Sequence, residues 1–315
     1  MNKFIYILFL LFLFSSCKTG ADSNRNYDSF NPDKVYKLQL NPTAGSAYHY
    51  EITNETEIKV ETDDKKIIHL NKTNVGIKYT IDKDSAGNFL LTMLYDTIHL
   101  YTRNNDTETE LDAANAGFSL NPVEKMLGIL KEATIISTIN SAGQTMSMRG
   151  YEEIGDRIIE SLGTEDMAIK NFAQSQWKKT IGDGLIKKNM DQLFKIFPDS
   201  AVHLQDTWKL TTKEEGDLSL NVKNIYTLKA INSEIALITS EGKIKSNNTS
   251  INAPGISNVT ADLQGEQKAQ YEMEAKTGML ISCTIQTNAE GTIKMMGREI
   301  PVTINASVKM KGKRL

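Results

Sequence analysis

Through most of this chain apolar and polar residues alternate with a period of two. In the first half the pattern runs over residues 35–40, 47–60, 67–82, 88–102 and 134–148. Such alternation turns one side of an extended strand to a core and the other to water, so these stretches are predicted as half-buried β-strands. Turn sequences part them, at Asp84-Ser85-Ala86-Gly87-Asn88 and Asn140-Ser141-Ala142-Gly143. The pattern resumes at Thr207 and runs to Lys311, with turns at Asn232-Ser233, Lys276-Thr277-Gly278 and Met296-Gly297-Arg298.

Between these halves the period lengthens to that of a helix. Over 151–162, Ile154, Ile158 and Leu162 recur four apart and Gly163 is placed to end the helix. Over 166–180, Ile169, Phe172, Ala173, Gln176 and Trp177 share a side. Over 184–197, Ile186, Met190, Leu193, Phe194 and Phe197 form an apolar stripe stopped by Pro198. A short helix fits 122–131: Asn121 caps it, Pro122 starts it, and Val123, Met126, Leu127 and Leu130 are expected to face the core. Packing against the sheet explains these stripes; a lipid-gripping or partner-binding groove is the rival.

The two β halves read as a divergent duplication. Asn74-Val75, Tyr79-Thr80 and Ile81 parallel Asn221-Val222, Tyr226-Thr227 and Leu228. Tyr48 after Gly45-Ser46 parallels Trp208 after Gln205-Asp206. The aromatics are 31 apart in the first half and 18 in the second, a difference that an extra hairpin near Asp63-Asp64-Lys65-Lys66 would absorb.

The N-terminus carries an address. Lys3 is followed by an unbroken apolar run, 4–14, and then by Ser15-Ser16-Cys17. A run of this length suits the core of a signal peptide and is too short for a membrane span, which needs about 20 residues. Phe14-Ser15-Ser16-Cys17 resembles the lipobox of bacterial lipoproteins, with Phe14 where Leu is usual. The resemblance implies cleavage before Cys17, lipid on that cysteine, and anchoring to the membrane through N-terminal acyl chains. Residues 17–34 are polar, with Tyr27 and Phe30 as the only large apolar side chains, and are expected to be a disordered tether. Lys18, rather than Asp, follows the cysteine and no acidic cluster succeeds it, which points to an outer-membrane anchor facing the periplasm. The lipobox, the aromatics Tyr48 and Trp208 after turns, Gln205-Asp206-Thr207-Trp208, and the linker 197–202 together resemble uncharacterised Bacteroidota lipoproteins of this length. That family carries no assigned activity, so it implies a fold and little else.

Charge narrows the partners. Removing residues 1–16 takes one lysine, so the formal net charge moves from −3 to −4, and no basic face for nucleic acid is implied. Of the 2 cysteines, lipid consumes Cys17. Cys283 is then alone, on the apolar side of its strand with Ile281 and Ile285, and is read as a buried small hydrophobe.

No pattern in the chain carries a known chemistry. There is no G-x-S-x-G, H-E-x-x-H, P-loop or dinucleotide glycine pattern. His49, His69, His99 and His203 are widely separated, and read as isolated strand or loop histidines rather than a metal set. Asp106, Glu108, Glu110 and Asp112 fall on one side of an extended segment. A calcium loop starting at Asn104 would need Gly where Thr109 stands and a carboxylate where Asn115 stands, so a charged strand edge is the better reading. Met146 and Met148, with Met295, Met296 and Met310, are read as core filling rather than a copper site.

The expected architecture is α+β and mainly antiparallel β. A signal peptide (1–16) and tether (17–34) precede a first curved, half-barrel-like β unit (35–150, with the short helix 122–131). A helical insert (151–198) and a second β unit (199–315) follow. The expected function is a noncatalytic, lipid-anchored envelope protein that binds a ligand or an envelope partner, without cofactor or metal. A carrier of lipid or another hydrophobic ligand is the alternative within binding. An enzyme whose site assembles from distant strands is the rival class.

Overall fold

The computed structural model describes residues 27–315 apart from 30, 32, 63–64, 162, 164, 168–169, 172–173, 175–186, 188–189, 192, 215–219, 247–248, 254–255 and 296. Among the described residues thirteen strands form one antiparallel sheet. They are β1 (Ala47–Glu61), β2 (Lys66–Lys83), β3 (Phe89–Asn104), β4 (Thr107–Asp112), β5 (Thr134–Ile139), β6 (Thr145–Arg149), β7 (Thr207–Glu214), β8 (Leu220–Ile231), β9 (Ile235–Ser246), β10 (Thr249–Ala253), β11 (Ile256–Glu274), β12 (Leu280–Met295) and β13 (Arg298–Arg314). The order across the sheet is β6-β5-β3-β2-β1-β13-β12-β11-β9-β8-β7, with β4 paired to β3 and β10 to β11. The two β halves therefore meet in the middle. There the first and last strands pair from Tyr48↔Arg314 to Val60↔Val302. The sheet is open, and its edges β6 and β7 are the strands that flank the insert.

Turn chemistry sets these registers. Between β2 and β3 the Asp84 carboxylate accepts from the backbone N–H groups of Ala86 and Asn88, each at 2.9 Å. Gly87 supplies the positive φ that closes the turn. The matched aromatics of the two halves prove to be equivalent cross-strand pairs, Tyr48↔Tyr79 on β1–β2 and Trp208↔Tyr226 on β7–β8. No extra hairpin accounts for the difference in spacing. Each pair sits on one hairpin, and β1 and β2 are longer than β7 and β8.

One end of the sheet is curled. Leu40 N–H donates to the Ser141 carbonyl in the β5–β6 turn at 2.8 Å, and Asn41 N–H to the Thr277 carbonyl in the β11–β12 turn at 2.7 Å. A flat sheet at ~4.8 Å per strand would hold even the inner strands of those turns, β5 and β12, about 24 Å apart. Bonds from consecutive residues bring the two oxygens within about 9 Å. Residues 36–41 thus lie across this end. A strand was expected over 35–40, but only Tyr36 bridges, to Val202, because the segment ties turns together instead of lying along a strand.

The end of the insert crosses the same region. The Phe194 ring meets Tyr79 edge-on with centroids 6.2 Å apart, and Trp208 Nε1 donates to the Ile196 carbonyl at 3.0 Å. Met190, Leu193, Phe194, Ile196 and Phe197 are buried in the main core, together with Tyr48, Tyr50, Tyr79, Tyr226, Tyr271 and Met310. Two helices add to this layer. In α1 (Pro122–Glu132) the Asn121 side chain accepts from Val123 N–H, and Leu127 and Leu130 are buried. Val123, expected to face the core, is exposed although it shares the helix line of Leu127 and Leu130: it lies in the first turn, at the end of the helix. In α2 (Tyr151–Ser161), Ile154 and Ile158 are buried. Leu162, Ile169, Phe172, Ala173, Gln176, Trp177 and Ile186 lie outside the described residues.

The buried face of the sheet is not uniformly apolar. One cross-strand row runs Leu210, Asn224, Gly242, Gln267, Thr287, Ala306, Thr56, Asn71, Thr102 from β7 to β3. Gln267 Nε2 donates to Thr287 Oγ1 at 3.4 Å. The Asn224 amide lies directly over Gly242, where any Cβ would collide with it. A strand glycine here lets the neighbouring amide close down on the backbone.

Candidate functional site

Cys17 and the signal segment lie outside the described residues. Asp28, within the expected tether, is docked on the body. Asp28 N–H donates to the Ile231 carbonyl at 2.8 Å, and its carboxylate receives Lys34 at 2.6 Å and the Tyr36 hydroxyl at 3.0 Å. Those two bonds, Lys34 first, hold the Asp28 carboxyl below its usual range.

The histidines do not converge. His49 Nε2 contacts Asp96 at 2.7 Å, His99 Nε2 contacts Glu110 at 2.7 Å, and His203 Nδ1 contacts Asp206 at 3.0 Å. His69 is on the other face, buried opposite Ile58. Among the described residues no three His, Cys, Asp or Glu side chains are grouped as a metal would need. Met146 was expected in the core and is 57 % exposed. Thr138 pairs Ser147 while Ile139 pairs Thr145, so Met146 is the extra residue of a bulge and leaves the buried face. Met148 packs against the core, and Cys283 is buried, its thiol pushed up by desolvation.

The acidic run forms a real strand. β4 pairs with β3 in the order His99↔Asp112, Tyr101↔Glu110, Arg103↔Glu108. Asp106 falls in the connecting turn, where Asn105 has φ 51. Asp112 accepts from Ala114 N–H at 2.8 Å, Glu110 takes His99, and Glu108 accepts from the Tyr101 hydroxyl. That last bond raises the Tyr101 pKa. These carboxylates are therefore tied to β3 and to the turn that follows β4.

Beside them the outer face of β1–β2–β3 holds a cleft of 560 Å3, lined by Glu55, Glu57, Leu70, Lys72, Asn74, His99, Tyr101 and Arg103. Alternation places them there: Glu55 and Glu57 flank Thr56, which points into the buried row. Registers align Glu57–Leu70–Arg103, Glu55–Lys72–Tyr101 and Thr53–Asn74–His99. Lys72 is 3.1 Å from Glu55 and Lys59 is 2.6 Å from Glu57. Leu70 is only 8 % exposed although it lies on the outward side of its strand. The cleft thus offers charges of both signs, an aromatic ring and an apolar patch. Of its lining only His99 had been weighed as a functional residue from the sequence; Asn74 had been noted only for the repeat. An outward-phase apolar pair in β2, Ile68 and Leu70, was the available signal.

Residues 86–280 match the model of a family described as a family of unknown function, DUF6263. No curated protein matches the sequence. Among solved structures, Pseudomonas aeruginosa OccK5 (OpdH) is similar over 86 % of this chain and 99 % of its own, at 6 % identity and a TM-score of 0.24. The translocator domain of the autotransporter NalP from Neisseria meningitidis covers 86 % and 90 %, at 6 % identity and a TM-score of 0.22. A BenF-like porin from Pseudomonas fluorescens Pf-5 covers 87 % and 100 %, at 9 % identity and a TM-score of 0.20. Scores this low assign no shared fold.

Proposed function

We propose a function on the premise that this chain belongs to the family of unknown function DUF6263: it is a noncatalytic, lipid-anchored envelope protein that binds a polar ligand or partner in the outer cleft of β1–β3. The anchor is the acylated Cys17, and the membrane is the outer membrane seen from the periplasm. The body is a half-barrel-like sheet, a reading supported by the close approach of the Ser141 and Thr277 turns.

The observation that carries the binding reading is the cleft itself. Its lining is contributed by three adjacent strands, and a rigid sheet fixes such side chains more firmly than a loop does. The interior offers less to a hydrophobic ligand. The apolar side chains at the end of the insert are buried in the core, and the mid-sheet row beneath is polar.

A thermal-shift screen of amino acids, short peptides and oligosaccharides tests this reading. Asn74 is exposed, so Asn74→Trp fills the cleft without touching the core. The expected result is a compound that raises the melting temperature of the wild type and not of Asn74→Trp. Equal shifts in both proteins, or no shift with any compound, contradict the reading.

A further inference from the structure

The geometry points to Arg103 as a carboxylate receptor, and we propose that the cleft takes a carboxylate borne on a short apolar chain. The inference rests on the cleft being the binding site. The cross-strand neighbours of Arg103 are Leu70 on β2 and Glu108 on β4. Leu70 cannot pair with it. Glu108 is opposite, but accepts the hydroxyl hydrogen of Tyr101. Glu57, one strand beyond Leu70, is held by Lys59 at 2.6 Å, and Glu55 by Lys72 at 3.1 Å. The Arg103 side chain forms no ion pair or hydrogen bond among the described residues, and it lines the cleft. Every other charged side chain of the lining is engaged with a partner: Glu55 with Lys72, Glu57 with Lys59, His99 with Glu110.

An uncommitted guanidinium presents N–H groups in a planar fork that matches a carboxylate bidentately. The surroundings then specify the rest of the ligand. The Tyr101 ring, two residues from Arg103 on the same side of β3, gives an apolar stem somewhere to lie, with the nearly buried Leu70 at its floor. Glu55, Glu57 and Glu108 discourage a second negative charge nearby, so a monocarboxylate fits better than a dianion.

The test is NMR on the full chain, following the Arg103 side-chain Nε–H signal and the Asn74 and Tyr101 signals. Hexanoate, acetate, succinate, hexanamide and hexylamine serve as probes. Hexanoate is expected to shift all three signals saturably, more tightly than acetate or succinate, and hexanamide to leave them unchanged. Arg103→Ala should weaken hexanoate roughly tenfold or more, about the loss of one charge-assisted pair. Arg103→Lys should fall between, since an ammonium keeps the charge and loses the fork. Hexanamide binding as well as hexanoate, or Arg103→Ala binding hexanoate unchanged, overturns the proposal. If hexylamine alone fills the cleft, the carboxylate inference fails while the cleft reading stands. If no probe moves the three signals, both fail.

Discussion

Replacing Phe194 with Ala asks whether the end of the insert is core or lid. The Phe194 side chain is 1 % exposed and meets Tyr79 edge-on at 86° with centroids 6.2 Å apart. Burial of a Phe removes about 150–250 Å2 from water. At about 25 cal/mol per Å2 that is worth roughly 4–6 kcal/mol, of which Ala retains a part. Loss of the edge-on contact adds about 0.5–1.5 kcal/mol. Truncated buried aromatics cost about 3–5 kcal/mol, and we expect this range here. The backbone contact of Phe194 with Gly143 is unaffected by the change. The assay is urea unfolding of wild type and Phe194→Ala, with the loss read from the midpoint at constant m. A cost below about 1 kcal/mol would refute the packing argument, because only a loosely held face gives up an aromatic so cheaply.

Gly242→Ala should destabilise by about 1–3 kcal/mol through overpacking, since its Cβ would strike the Asn224 amide. Adding Asn224→Ala should recover part of the loss, and a double-mutant cycle with coupling under about 0.3 kcal/mol would contradict that contact. The Cys283 thiol, buried and pushed up by desolvation, should resist alkylation until the protein unfolds. Rapid labelling of the native protein would show that its side of β12 is misassigned. Residues 35–150 and 199–315, expressed separately, should not melt cooperatively, because each would expose the long edge that β1 and β13 share. A sharp transition in either piece would show that it has a sufficient core of its own.

The strands of the two hairpin pairs were legible because alternation and turn residues are local properties. The cross-strand aromatics Tyr48–Tyr79 and Trp208–Tyr226 were legible as a repeat for the same reason. The partner of each strand was not. Alternation in β1 fixes which side of the strand is buried, and nothing in it names β13, some 250 residues away, as a neighbour. β4 read as a charged edge because Glu108, Glu110 and Asp112 dominate its composition, and it pairs with β3 alone; what composition did not show is that Tyr101 and His99 on β3 meet two of these carboxylates. Met146 was misplaced because one bulge residue shifts the phase of a five-residue strand. The cleft was the least visible feature. Glu57, Leu70 and Arg103 are ordinary strand residues taken singly, and only the β1–β2–β3 register puts them side by side.

We propose that lipid on Cys17 holds this protein at a membrane, with the cleft carried on the body that follows. Intact-mass spectrometry of the protein extracted from the membranes of its own host tests that placement most directly. The predicted species begins at Cys17, lacks residues 1–16, and carries the added mass of acyl chains on that residue. A mature chain that begins elsewhere, or an unmodified Cys17, would contradict it.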